Sequence, residues 1–357
     1  MLNRRRVLVA GVSLMASAFL PARVSHGTEG KKSELVLLTW PDYMDAEVIK
    51  SFEESTNLTV RQVLFESDQE RDQQIVRKGS DAFDVMVVNR INLPLYAQQG
   101  WLTPMDKNKM GHVSHIESRW MADTDHAGNM MGVPYFWGNI GLAYREDLVP
   151  NPPVSWLDFF RPADHLRGRL NAMESDRELL GMALKAVGHS VNSEDPSHLA
   201  AAESLLLEQK PYIKSYRYID LGKDSPLVTG AIGMAMVYNG DAVKLREYHP
   251  KIRYIHPREG SALWVDYLAV GTVTPARRER ALAFIDFLNT PAMAARNAQS
   301  LHFASPNREA LHLASPGYLA DPAIFPPEHI LQRSEVIQPV APPTLRRINA
   351  FVARLLR

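Results

Sequence analysis

Short apolar runs alternate with amphipathic stretches along this chain. Glu34-Leu-Val-Leu-Leu-Thr-Trp40 reads as a buried strand, and Asp45 caps a helix with Val48, Ile49 and Phe52 at helical spacing. Asn57 supplies the stop, and Leu58 to Phe65 is a second strand. Ser67 opens a polar helix carrying Ile75 and Val76 and closed by Gly79. Phe83-Asp-Val-Met-Val-Val88 is a continuous apolar run suited to a central parallel strand, and Gly100 to Asp106 is a turn off a short helix. Strand alternating with helix over short connections predicts an α/β domain on a parallel sheet.

Asp125-His-Ala-Gly-Asn129 is a turn before the run from Met131 to Tyr144, whose aromatics and glycines suit a strand passing between domains beside a ligand. A second α/β pattern follows. It has a capped helix at Ser155–Phe160, helical faces over Leu179–Val187 and Leu199–Leu207, and strands at Ala231–Tyr238 and Ile252–Ile255. Gly260-Ser-Ala-Leu-Trp-Val-Asp-Tyr-Leu-Ala-Val-Gly271 reads as a buried strand. Side chains alternate along it, so Trp264 and Asp266 share a face, roughly 7 Å apart. An indole beside a carboxylate holds an organic ammonium, by a cation–π surface and a charge-assisted hydrogen bond; the alternative is a core tryptophan and a satisfied buried acid. Pro275 starts a strong helix, and after Ala314 proline-rich stretches lead to a last helix over Leu345–Leu356.

Charge changes the picture at the N-terminus. The chain has 40 basic and 40 acidic residues, but the first 27 hold Arg4, Arg5, Arg6 and Arg23 and no acid. Without them the count is 40 − 4 = 36 basic against 40 acidic, a net −4 that gives no bulk case for nucleic acid. Arg4-Arg5-Arg6 before the apolar run Val7–Leu20 predicts a cleavable export signal over residues 1–27, resembling a twin-arginine signal, with cleavage after Ala22 or Gly27. The chain has no cysteine, which removes disulfides, thiolate metal sites, cysteine nucleophiles and a lipoprotein anchor. A free periplasmic protein is expected.

Catalytic signatures do not occur: there is no glycine-rich phosphate loop, Gly-x-Ser-x-Gly elbow or His-Glu-x-x-His helix. The 12 histidines are scattered, and only His112 and His115 lie close. Asp123-x-Asp125 fails as a calcium loop, since Ala127 stands at a ligand position and Pro134 where the bidentate glutamate belongs. No metal or cofactor is expected. What recurs is aromatics beside acids at strand ends: Trp40-Pro-Asp42-Tyr43, Tyr135-Phe-Trp137, Tyr238-Asn-Gly-Asp241 and Trp264-Val-Asp266. Ligands of open α/β sheets bind beyond the carboxyl ends of strands.

Leu38-Thr-Trp-Pro-Asp-Tyr43, Phe83–Val88, Val133-Pro-Tyr-Phe-Trp-Gly138, Asp176-Arg-Glu178, Val237-Tyr-Asn-Gly240, Leu263-Trp-Val-Asp266 and Ser305-Pro-Asn307 follow in an order that resembles the periplasmic spermidine/putrescine-binding proteins, the substrate-binding subunits of polyamine importers. The resemblance covers essentially the whole mature chain. It implies a two-lobed α/β fold of the type II periplasmic-binding-protein kind. Each lobe is a mainly parallel sheet flanked by helices, and the lobes close over a cleft by hinge motion. Residues 33–137 with 263–310 would form the N-lobe, and 138–262 with 311–357 the C-lobe. By the same resemblance Trp40 and Tyr43 are the N-lobe aromatics around Asp42. Trp137 and Trp264 line the crossing strands, Asp266 is the central acid, Glu178 a C-lobe acid and Tyr238 an aromatic lid. Ser175-x-x-Glu178 is also a capping-box pattern, which competes for Glu178.

Three departures stand out. Ser175 replaces an acid of the family, Phe303 replaces a tyrosine, and Asn89-Arg90-Ile91 replaces small and aromatic groups. Arg90 is expected to point away from a polycation. The resulting expectation is a non-enzymatic, monomeric protein binding spermidine, putrescine or norspermidine. It would deliver the ligand to an ABC permease, or dock on a membrane signalling protein. An exported hydrolase is the third possibility, without a nameable nucleophile–base pair.

Overall fold

The computed structural model describes residues 33–357 except 122, 123 and 127, so the expected export signal and the Asp123/Ala127 part of the rejected calcium loop lie outside the described residues. Strand β1 (Ser33–Thr39) pairs in parallel with β2 (Leu58–Leu64) and β3 (Val85–Asn89). The helices between them begin as read from the sequence. The Asp45 carboxylate accepts the N–H groups of Glu47 and Val48 at the start of Ala46–Ser55, and the Ser67 hydroxyl accepts from Glu70 at the start of Asp68–Lys78. Gly79, at φ 84°, ends the second helix in a conformation that side chains rarely adopt.

A short hairpin of β4 (Asp125–His126) and β5 (Asn129–Met130) precedes β6 (Val133–Arg145), which is buried along its whole length. Then come β7 (Leu170–Ala172), β8 (Ile213–Tyr216), β9 (Met234–Tyr238), β10 (Ile252–Ile255), β11 (Ala262–Val270) and β12 (Glu335–Val336). The strand order is β2-β1-β3-β11-β6-β9-β7-β8, with β10 on β6 and β12 on β11. Each half keeps three mutually parallel strands, β2-β1-β3 and β9-β7-β8. The strands between them, β11 and β6, run antiparallel to their neighbours β3 and β9 and to each other. Thus β6 serves both halves: Val133–Asn139 lies along β11, and Ile140–Arg145 along β9 and β10.

Two main cores flank this junction. Leu37, Val85, Val87, Tyr267, Phe284 and Ile285 belong to one; Leu142, Trp156, Phe159, Leu180, Met236 and Phe351 belong to the other. The C-terminal stretch visits both. Tyr318, Ala323 and Ile324 lie in the first core, then Ile337, Ile348 and Phe351 in the second. The last helix, Pro342–Leu355, starts three residues earlier than its apolar pattern indicated, with prolines in its first turn.

Candidate functional site

The site is built where β11 lies between β3 and β6. Asp266 is opposite Asn89 on one side and Phe136 on the other, and Trp264 is opposite Gly138. Residues directly opposite share a face, so Asn89, Asp266, Phe136, Trp264 and Gly138 look one way, and Val265 and Trp137 the other. A side chain at Gly138 would meet the Trp264 ring at 2.6 Å, so glycine there makes room for the indole. The register slips after Asp266, leaving Tyr135 as the extra residue, an irregularity of the kind that re-aims side chains at the rim of a sheet.

Beyond β1 the chain turns at Asp42, which has φ 50°, and delivers Tyr43 to this face. The Tyr43 hydroxyl donates to Asp266 Oδ2 at 2.7 Å, while its carbonyl accepts the Tyr135 hydroxyl at 3.0 Å, so Tyr43 is held at both ends. Burial pushes the Asp266 carboxyl up to about 6, the Tyr43 bond partly offsetting it; the charge of Asp68 adds to the rise and Arg71 counters it. Rings continue from Tyr43 in a row. Phe303 lies 5.3 Å from Tyr43, Trp264 5.4 Å from Phe303, and Tyr238 6.0 Å from Trp264, each pair edge to face.

Tyr238 ends β9 in the second half. Its hydroxyl lies 3.0 Å from both oxygens of Glu178, in the first turn of helix Asp176–Ala186. This bears on the competing readings of Ser175-x-x-Glu178: Ser175 occupies the N-cap position, but its side chain makes no capping hydrogen bond, and the Glu178 carboxylate is engaged by Tyr238. Burial raises the Glu178 carboxyl to about 7, against the bonds from Ser175 and Tyr238 and with further push from Asp68 and Asp266.

Of the residues expected here, Tyr43, Asp266, Trp264, Phe303, Tyr238, Glu178 and Ser175 come together. Trp40 is half-buried beside Phe65, with ring centroids 4.4 Å apart. Asn89 shares the face of Asp266, but both ends of its amide are engaged: Nδ2 donates to Asp68 at 2.6 Å and Oδ1 accepts from Asn92 N–H at 3.0 Å. Two expectations need correction. Trp137 points away, stacked on Trp120 at 4.5 Å with Arg119 above both rings, because its register partner is Val265 and not Trp264. Asp42 does not sit between Trp40 and Tyr43 as a buried acid: its left-handed backbone turns the carboxylate outward, where Lys244 Nζ donates to it at 3.2 Å. Arg90 is half-buried, and its backbone N–H donates to Val265.

Two acids near the site were not among the expected site residues. Asp241, in the first turn of helix Asn239–Tyr248, acts electrostatically on the Tyr43 and Tyr254 hydroxyls, and its carboxylate makes no hydrogen bond among the described residues; burial raises it to about 7, with Lys244 opposing. Asp68 accepts from Asn89 and pairs with the fully buried Arg71 at 2.9 Å. The Tyr238-Asn-Gly-Asp241 motif carried the first signal; an acid in the first helical turn, like Asp68, carries none.

Among the described residues no three His, Cys, Asp or Glu side chains are grouped to hold a metal ion. Arg71 is matched by Asp68 and, at 3.9 Å, by Asp72. Asp266 and Glu178 are therefore a buried and a half-buried carboxyl bonded by hydroxyls, and Asp241 is a half-buried carboxyl opposed only by the nearby charge of Lys244, whose ammonium is bonded to Asp42. Such groups are stabilised in their ionised form by a cation.

Residues 47–326 match the family model described as bacterial extracellular solute-binding protein. The chain belongs to that family. Among its relatives, the norspermidine sensor of Vibrio cholerae is 30% identical over 300 residues, spanning 84% of this chain and 82% of that protein. The spermidine/putrescine-binding periplasmic protein of Escherichia coli is 25% identical over 323 residues, 90% of this chain and 91% of that one. The crystal structure of the spermidine/putrescine ABC transporter substrate-binding protein PotD from Streptococcus pneumoniae superposes with a TM-score of 0.80 at 25% identity, covering 90% of this chain and 98% of that one. The solute-binding protein thus has the two-lobed α/β fold, and its two cores are joined through β6 and β11. No described helix is long and apolar enough to cross a membrane.

Proposed function

We propose that this solute-binding protein is a non-enzymatic periplasmic receptor for a linear polyamine, which lies along the aromatic row with its ammonium groups on Asp266, Glu178 and Asp241. The observation that carries this reading is the row Tyr43–Phe303–Trp264–Tyr238, whose terminal tyrosines donate to Asp266 and Glu178. Aromatic faces take up methylenes and add cation–π attraction, and spaced carboxylates take the charges. The family membership and the names of the relatives support the same ligand class. A thermal-shift panel of putrescine, cadaverine, spermidine, norspermidine, spermine and aminoethylphosphonate tests it. A ligand at 100 times its Kd stabilises by about 2.7 kcal/mol. A flat response to every polyamine at millimolar concentration contradicts the reading.

Delivery to an ABC permease is the proposed output. A second output has one observation in its favour: the relative at 30% identity is named a norspermidine sensor. The ligand-loaded form would then dock on a membrane signalling protein. Pull-down of the loaded protein against the two kinds of membrane partner separates them, with the unloaded protein as control.

A further inference from the structure

Among the described residues, two buried donors beside the aromatic row have no acceptor: Asn239 Nδ2 and Trp264 Nε1. Asn239 opens the helix Asn239–Tyr248 and is fully buried. Gly240 after it lets the start of the helix press on the row, since a Cβ there would strike the Phe303 ring. The Asn139 N–H donates to Asn239 Oδ1 at 3.3 Å, which sets the orientation of the amide and turns Nδ2 the other way. Both donors flank Gly138, on the face that carries Asp266. A Cβ at Gly138 would strike Asn239 Oδ1 and stand 2.7 Å from Trp264 Cε2, the carbon bonded to Nε1.

We propose that Asn239 Nδ2 and Trp264 Nε1 form an acceptor subsite midway along the row, so that the ligand is an amine that also carries a neutral oxygen: the amide carbonyl of an N-acylated polyamine or the hydroxyl of a hydroxylated one. An ammonium group has no lone pair. A fully protonated polyamine would therefore cover both N–H groups and bond neither, and buried donors left unpaired are destabilising. A carboxylate or phosphonate has the lone pairs but meets the repulsion of Asp266, Glu178 and Asp241. A neutral oxygen avoids both penalties. Its place suits the row, because Trp264 stands between Phe303 and Tyr238, with Asp266 on the Tyr43 side and Glu178 on the Tyr238 side. The subsite rests on reading the row as an amine site.

Calorimetric titration with charge-matched pairs tests it: hydroxyputrescine against putrescine, and N-acetylputrescine against hexylamine. The parent is expected to favour the oxygen-bearing member by about fivefold or more in at least one pair, and which pair responds tells hydroxyl from amide. Trp264→Phe keeps a ring and loses the Nε1 donor. Asn239→Asp keeps the shape and the oxygen facing Asn139 but loses the Nδ2 donor. Each should cut that preference about threefold or more. Equal affinities within both pairs, as when water satisfies the donors, overturn the proposal, and so does a preference that survives unchanged in both variants. Absence of any polyamine binding in the thermal-shift panel overturns the functional reading and the subsite with it, whereas binding without preference removes the subsite alone.

Discussion

The Tyr43 hydroxyl donates to Asp266 at 2.7 Å across 223 residues of sequence, tying the turn after β1 to the centre of β11. One carboxylate oxygen is thereby engaged, and among the described residues no basic side chain bonds either oxygen. The acid is fixed in direction and left short of positive charge.

That shortage has a pH signature. Glu178 is raised to about 7 and Asp266 to about 6, both chiefly by burial. Between an unfolded pKa near about 4 and these folded values, the native state binds more protons than the unfolded one, so these groups make stability fall as pH rises. His256 is shifted down by burial and contributes the opposite sign, so the clean comparison is between variants. Ligand-free Glu178→Gln should melt with the parent at pH 5 and above it at pH 8, as measured by calorimetry. An ammonium ligand favours the ionised acids, so polyamine affinity should rise from pH 5 to pH 8.

Asp42 was expected to contact ligand and is instead an exposed acid paired with Lys244, its side chain 82% exposed. Exposed pairs contribute about 0–1 kcal/mol. Asp42→Asn should therefore change polyamine affinity less than threefold in a calorimetric titration. A loss of tens-fold would show that the carboxylate turns inward on binding.

The two tryptophans on facing strands should separate cleanly. Trp264→Leu removes the ring beside Phe303 and Tyr238 and should cost roughly 1–2 kcal/mol of binding with a smaller loss of stability. Trp137→Leu opens the stack on Trp120, and large-to-small core changes cost about 3–5 kcal/mol of stability at the extreme of alanine. It should lower the melting temperature while leaving the affinity of the folded fraction within a few-fold. Melting curves and titrations of both variants check this.

The same pair marks how far the sequence could be read. Apolar runs and capping residues located β1, β3, β6, β9 and β11 and the helices at Asp45, Ser67 and Ser155, because those signals are local. Strands β7 and β8, three and four residues long, carry no period to detect and exist through pairing with β9 and each other. Alternation correctly put Trp264 and Asp266 on one face, but it could not say which face of β6 meets them. Register settles that, and it turned Trp137 away. Asp42 shows the complementary failure: its motif was legible, but the left-handed turn that points it outward was not.

The most direct measurement is a calorimetric titration of spermidine into the parent and Asp266→Asn, with the ligand-free melting temperature of each as control. Asn keeps the shape and can still accept from Tyr43, but it leaves an ammonium without its counter-ion. Truncating one partner of a buried charge pair costs about 2–5 kcal/mol. The expected result is a loss of affinity of tens- to thousands-fold, with a melting temperature equal to or above that of the parent. An Asp266→Asn protein that binds spermidine as the parent does, and has lost only stability, would contradict the account.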